Sequence, residues 1–129
     1  MTQAKARLRI RRLLPAIAAL ALAAPAQAHH SAAMFDRTKT STVSGTVKEL
    51  QWTSPHCWLQ VMAPSDAGPV EWSIEMGAPI ELYRGGWRPA ILKPGDKITV
   101  VFNPTRDGAR GGLFVSAVGA DGQPVGRGH

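Results

Sequence analysis

Two adjacent histidines, His29 and His30, stand directly after Ala26-Gln27-Ala28, a small-x-small triplet of the kind that export peptidases cut. Cleavage after Ala28 makes His29 the first residue. A terminal His offers an ion its α-amine and its imidazole together, and His30 adds a second ring, a donor set that suits copper or zinc. The set lacks the third-position His of the usual amino-terminal copper and nickel motif, because Ser31 stands there. Further donors must then come from elsewhere, with His56, Met34 and Met62 as candidates and a brace of His29 with His56 as the simplest form. The expected metal ligands are His29, His30 and His56. His56 also has a plain alternative role, capping its turn by hydrogen bonding to backbone.

A second constellation surrounds His56 in Trp52-Thr53-Ser54-Pro55-His56-Cys57-Trp58 and the run that follows. His56, Trp58, Gln60 and Met62 share one parity, so on a strand they face one way, and Trp58 with Gln60 would form a small ligand-binding platform. A glycan, a lipid headgroup or a protein partner suits such a face. Cys57 has the opposite parity and falls with Leu59, Val61 and Ala63, where a thiol behaves as a small buried apolar group rather than as a partner of His56 in a metal clasp.

Other chemistries lack their residues. Glu71 and Glu75 are four apart on a strand, about 13 Å, too far for the paired carboxylates of a glycosidase, and are expected on a solvated face. The sequence holds no Ser-His-Asp order, no phosphate-cradling glycine loop before a helix, no zincin helix and no Cys-x-x-Cys. An oxidative copper enzyme would use a terminal His, but one Tyr and no substrate platform fit that role badly. The expectation is a non-enzymatic binding protein for a transition metal, with an envelope interaction or stress-response module as the alternative.

The elements that must position these residues begin after a leader. Residues 1–28 comprise a basic region (Lys5, Arg7, Arg9, Arg11, Arg12), an apolar run from Leu13 to Pro25 and the cleavage triplet, which together read as a signal peptide for a periplasmic or secreted protein. The run is shorter than the roughly 20 residues a spanning helix needs, so no membrane span is expected after processing. Ile10 and Leu13 around Arg11-Arg12 fit general secretion better than the twin-arginine route. Five of the 15 Lys and Arg lie in the leader and all nine Asp and Glu lie after it, so the net charge falls from +6 to +1 on processing. The basic balance therefore belongs to export and gives no reason to expect nucleic acid. The processed length suits one domain, and a single cysteine excludes an internal disulfide.

Residues 29–41 lack periodicity and read as an extended arm with Met34 and Phe35 as docking points. A strand is expected from Thr42 to Trp52, with a bulge where the parity switches near Lys48-Glu49. Two alternating strands follow, Cys57 to Ala63 and Val70 to Met76, separated by the turn chemistry of residues 64–69. Gly77 to Gly86, with Pro79 near a helix start and Gly85-Gly86 where a helix would stop, reads as one short helix. Strands from Lys97 to Asn103 and from Leu113 to Val118 complete a domain over 42–120, with a polar tail over 121–129 and Trp87 closing one end. Three strands, a short helix and two strands predict a mainly β fold, a small five-stranded barrel of the oligonucleotide/oligosaccharide-binding (OB-like) kind with the helix between strands 3 and 4. A β-sandwich is the alternative, and its usual count of about seven strands disfavours it.

The motifs His29-His30-Ser31, Phe35-Asp36, Gly45-Thr46-Val47, Trp52 to Trp58, Trp72, Gly86-Trp87 and Leu92 to Asp96 together resemble a family of small secreted bacterial proteins of unknown function. The likeness spans residues 29 to 118. Ser54 stands where that pattern usually has Asn, and either residue can accept a backbone hydrogen bond in the turn. The resemblance implies export and supplies no activity, substrate or cofactor.

Overall fold

The structure, a computed structural model, describes residues 33–127. Its elements are β1 (Ser41–Gln51), β2 (Trp58–Ala63), β3 (Val70–Glu75), α1 (Pro79–Arg84), β4 (Lys97–Pro104) and β5 (Gly111–Gly119). The strands close into a barrel in the order β1-β2-β3-β5-β4, all neighbours antiparallel except β3 and β5, which run parallel. The expected mainly β barrel with one short helix between β3 and β4 is the observed fold.

Closure depends on β1 serving two neighbours. Its first half, Ser41 to Thr46, pairs with β4, and its second half, Thr46 to Gln51, pairs with β2. The register shifts between Val47 and Glu49, at the expected bulge, and the extra residue lets one strand turn from one neighbour to the other. Gly45 lies at the crossing, where a Cβ would overlap the carbonyl oxygen of Met62.

Side-chain alternation fills the barrel from every strand. Val43, Val47, Leu59, Val61, Ile74, Ile98, Val100, Phe102, Phe114 and Ala117 all enter one buried core, so the period-2 pattern becomes a packed interior. Trp72 tilts onto Phe102 with ring centroids 5.5 Å apart. Between β3 and β4, Pro79 opens α1 and the Glu81 carboxylate accepts the Ala78 N–H at 3.1 Å, a short helix start built from one fixed φ and one returned side chain. Leu82 and Trp87 from this segment are both fully buried, and Trp87 meets Phe114 edge-on at 5.3 Å.

Both ends of the described chain are tied to the barrel. Phe35 is buried and bridges to Thr105, while Asp36 N–H donates to the Pro104 carbonyl at 2.8 Å. Met34 docks through its main chain, its carbonyl accepting the Arg106 N–H at 2.8 Å, while its side chain stays exposed beside the bridge at Phe35. At the other end Val125 packs against the core, its N–H donates to the Ala117 carbonyl, and Arg127 N–H donates to the Gly85 carbonyl at 2.7 Å. Among the described residues, no helix is long and apolar enough to cross a membrane.

Candidate functional site

The loop between β1 and β2 is shaped to present one side chain. Thr53 Oγ1 donates to the His56 carbonyl at 2.8 Å, and Cys57, the next residue, donates its N–H to the Gly77 carbonyl at 3.0 Å and accepts from Met76 N–H at 2.9 Å. These bonds extend the pairing of β2 beyond Trp58 and hold the loop against the segment leaving β3. His56 is thereby placed at the last residue of β3. Its Nδ1 lies 3.0 Å from Glu75 Oε1.

Glu75 was expected on a solvated face and is instead only 6% exposed. Its parity is outward, as read, but the His56 loop covers the end of β3, and a buried carboxylate keeps its charge only where hydrogen-bond partners replace water. Glu71, with the same parity, stays on the surface and pairs with Lys48 at 2.7 Å. The two glutamates thus differ by what lies over them. With the His56 proton on Nδ1 toward the carboxylate, the ring's lone pair sits on Nε2, the arrangement by which a carboxylate orients a metal-binding or proton-accepting imidazole.

His56 and Glu75 line a cleft of about 330 Å³ with Arg37, Glu81, Asn103 and Leu113. Asn103, nearly buried on β4, donates Nδ2 to the Lys39 carbonyl at 2.7 Å and ties the arm to the cleft wall. Arg37 arrives on that same arm, beside Asp36. The Thr38 hydroxyl, first, together with the Thr38 N–H and Lys39, holds the Asp36 carboxyl below its ordinary pKa.

The second predicted pair adjoins the first. Register places Gln51, Trp58 and Glu75 side by side across β1, β2 and β3, so Trp58 shares the outer face with the carboxylate that holds His56. Gln60 is two residues along, donating Nε2 to Gln51 Oε1 at 3.3 Å, and Gln51 in turn donates to Glu49 at 3.1 Å. The buried Oε1 of Gln60 has no hydrogen-bond partner among the described residues. Met62 shares this face but sits four residues beyond Trp58, about 13 Å at the usual strand rise, and so cannot join His56 on one ion. His29 and His30 lie outside the described residues. Among the described residues, no group of three His, Cys, Asp or Glu side chains gathers to hold a metal.

Cys57 stands apart from this chemistry, as its parity predicts. It is fully buried in the core and its Sγ–H points to the Thr53 carbonyl at 3.7 Å. Desolvation raises the thiol above its ordinary pKa of 9.0 despite that contact, so the neutral form is the one the fold favours. The associated stability is complete below the ordinary thiol pKa and is lost as pH climbs toward the raised one. The folded protein is expected to resist a thiol-specific disulfide reagent at neutral pH and to react with one equivalent after denaturation. Prompt reaction of the native state would show that Cys57 is accessible.

Sequence reading missed Glu75, Glu81, Arg37 and Asn103 as cleft residues. Only the position of Glu75 directly opposite Trp58 was in principle available, given the register. Compared with known families, residues 17–115 match a family of unknown function, DUF6152. The chain belongs to this family. The DUF6152 match takes in His29, His30, His56, Trp58, Gln60 and Glu75 and ends within β5. Comparison with curated proteins and with solved structures gives no match.

Proposed function

We propose that this DUF6152 protein is an exported, non-enzymatic metal-binding module, holding copper or zinc between His56 and the terminal histidines His29 and His30 that processing exposes. The observation that carries the reading is the His56–Glu75 contact at 3.0 Å, with the carboxylate buried. A buried carboxylate that fixes one imidazole nitrogen leaves the other as an oriented donor, and such outer partners typically change metal affinity by about 10–100-fold. The remaining ligands in this reading are His29 and His30, which lie outside the described residues.

The test is titration of the exported protein, its terminus verified as His29, with copper(II) and zinc(II). Binding is expected to be lost in His29→Ala/His30→Ala and in His56→Ala. It should weaken by roughly tenfold or more in Glu75→Gln, which keeps the shape and removes the charge. Wild-type affinity no tighter than that of the double histidine variant would end the proposal.

A second reading rests on the unpartnered Gln60 Oε1 beside Trp58. Here the outer face takes a glycan, a lipid headgroup or a protein partner, with Trp58 as the stacking surface. Quenching of Trp58 fluorescence by such a ligand supports it. A Trp58→Ala protein that keeps every crosslinked partner argues against it.

A further inference from the structure

The surface formed by α1 and the turns after it carries apolar and cationic side chains together. Four large apolar residues are exposed among the described residues, and three of them fall between positions 80 and 91: Ile80 at 58%, Tyr83 at 53% and Ile91 at 37%. Ile80 and Tyr83 share one helix face by their spacing of three. Arg88 lies over the Tyr83 ring, its guanidinium carbon 3.7 Å from the centroid, and donates to the Tyr83 carbonyl at 2.9 Å. Ile91 closes a turn on Arg88 through its N–H to the Arg88 carbonyl at 3.1 Å. Arg127, returning from the chain end, donates Nη2 to the Arg84 carbonyl at 3.1 Å. These contacts join Tyr83, Arg84, Arg88, Ile91 and Arg127.

The cations of this patch are not neutralised, and two of them are held in place. Arg84, Arg88, Lys93 and Arg127 are all exposed, and none of them makes an ion pair among the described residues. Arg88 and Arg127 instead spend donors on main-chain carbonyls, which hold the charge in place without cancelling it. Two acids lie nearby. Glu81 returns to the Ala78 N–H, and Asp96 accepts the Lys93 N–H at 2.8 Å. The surface therefore sets exposed apolar side chains beside cations that no ion pair offsets among the described residues, and its complement is a layer of anionic headgroups over hydrocarbon.

We infer that this face docks on an anionic phospholipid bilayer, with Ile80, Tyr83 and Ile91 entering the headgroup boundary and Arg84, Arg88, Lys93 and Arg127 meeting phosphates. Tyrosine and arginine suit that depth because each has an apolar body and a polar end. The short helix neither spans nor anchors alone, so attachment is peripheral, reversible and sensitive to salt. The inference is independent of the metal reading, since it uses none of that site's residues.

The test places a polarity-sensitive fluorophore on an engineered cysteine, Ile91→Cys, in the exported full domain, with Asp66→Cys in the β2–β3 turn as the control position. The single native cysteine is buried and does not compete for the label. Vesicles of phosphatidylcholine alone are compared with vesicles containing about a third phosphatidylglycerol. The emission at position 91 is expected to shift to the blue only with the anionic vesicles and to revert at high salt, while position 66 stays unchanged. Unlabelled Arg84→Gln/Arg88→Gln should sediment with anionic vesicles roughly tenfold or more weakly than wild type. No shift at 91, equal shifts at both positions, equal binding to both vesicle types, or unaltered binding by the arginine variant would each overturn the inference.

Discussion

Trp87→Ala is expected to cost about 3–5 kcal/mol of stability, the range for removing a large aromatic side chain from a core that cannot collapse around the gap. Trp87 is fully buried, rests edge-on against Phe114 at 5.3 Å, and donates its indole N–H to the Arg127 carbonyl at 3.4 Å. Its neighbours approach from α1, β5 and the chain end, three directions fixed by separate hydrogen bonds, so no single segment can move in to fill the volume. Each kcal/mol shifts the midpoint of a small domain by about 4–8 °C, so thermal unfolding should begin at least ~12 °C lower. Trp87→Phe keeps most of the volume and loses the N–H contact, and it should fall by less than half as much. Urea unfolding followed by far-ultraviolet circular dichroism measures both. A loss under about 1 kcal/mol for the alanine variant would mean that the indole does not plug the barrel.

Gly45→Ala is expected to be at least as damaging, for a different reason. A Cβ there overlaps the Met62 carbonyl oxygen and presses on the Ala63 Cα, both main-chain atoms of β2. A flexible side chain could step aside, but a ladder carbonyl cannot move without separating β1 from β2 at the point where β1 changes neighbours. Overpacking costs about 1–3 kcal/mol where side chains absorb it, and the obstacle here is backbone, so a cost above that range is expected. Marginal stability of roughly 5–15 kcal/mol leaves little of the folded state. Gly68→Ala is the informative comparison. That residue has φ of +103° with open space around it, so substitution there strains one turn and clashes with nothing, and it should cost on the order of 1–3 kcal/mol. If Gly45→Ala folds as stably as wild type, the close approach is not what demands glycine.

What could be read in the chain before its structure follows from the range of each signal. Alternation is local, so Cys57, Leu59, Val61 and Ala63 were assignable to the core and Trp58 and Gln60 to the outer face without knowing any partner strand. The bulge after Val47 was visible because the apolar residues change parity before Leu50. Pro79 and Gly85-Gly86 marked the helix at its two ends. Glu75 was not legible as a site residue, because parity reports the direction a side chain faces and says nothing of what another loop lays over it. Glu71 and Glu75 look alike in sequence, yet one meets Lys48 at the surface and the other meets His56 under cover. Phe35 and Met34 are equally ambiguous, since the choice between them is made by a single bridge to Thr105. The parallel pairing of β3 with β5 joins strands separated by the helix and β4, a contact that no local pattern carries.

The divided pairing of β1 has a kinetic meaning. The first half of the strand that begins the barrel must wait for β4, with Ser41 opposite Phe102, and β3 must wait for β5 before the ring can shut. Pairings between such distant positions charge their loop-closure entropy before any contact repays it, which places folding among the slower topologies, milliseconds to seconds rather than microseconds. A chain emerging N-terminus first can pair the second half of β1 with β2 early, but cannot pair the first half until β4 is available. Late closure therefore leaves the first half of β1 without its partner strand until β4 has formed.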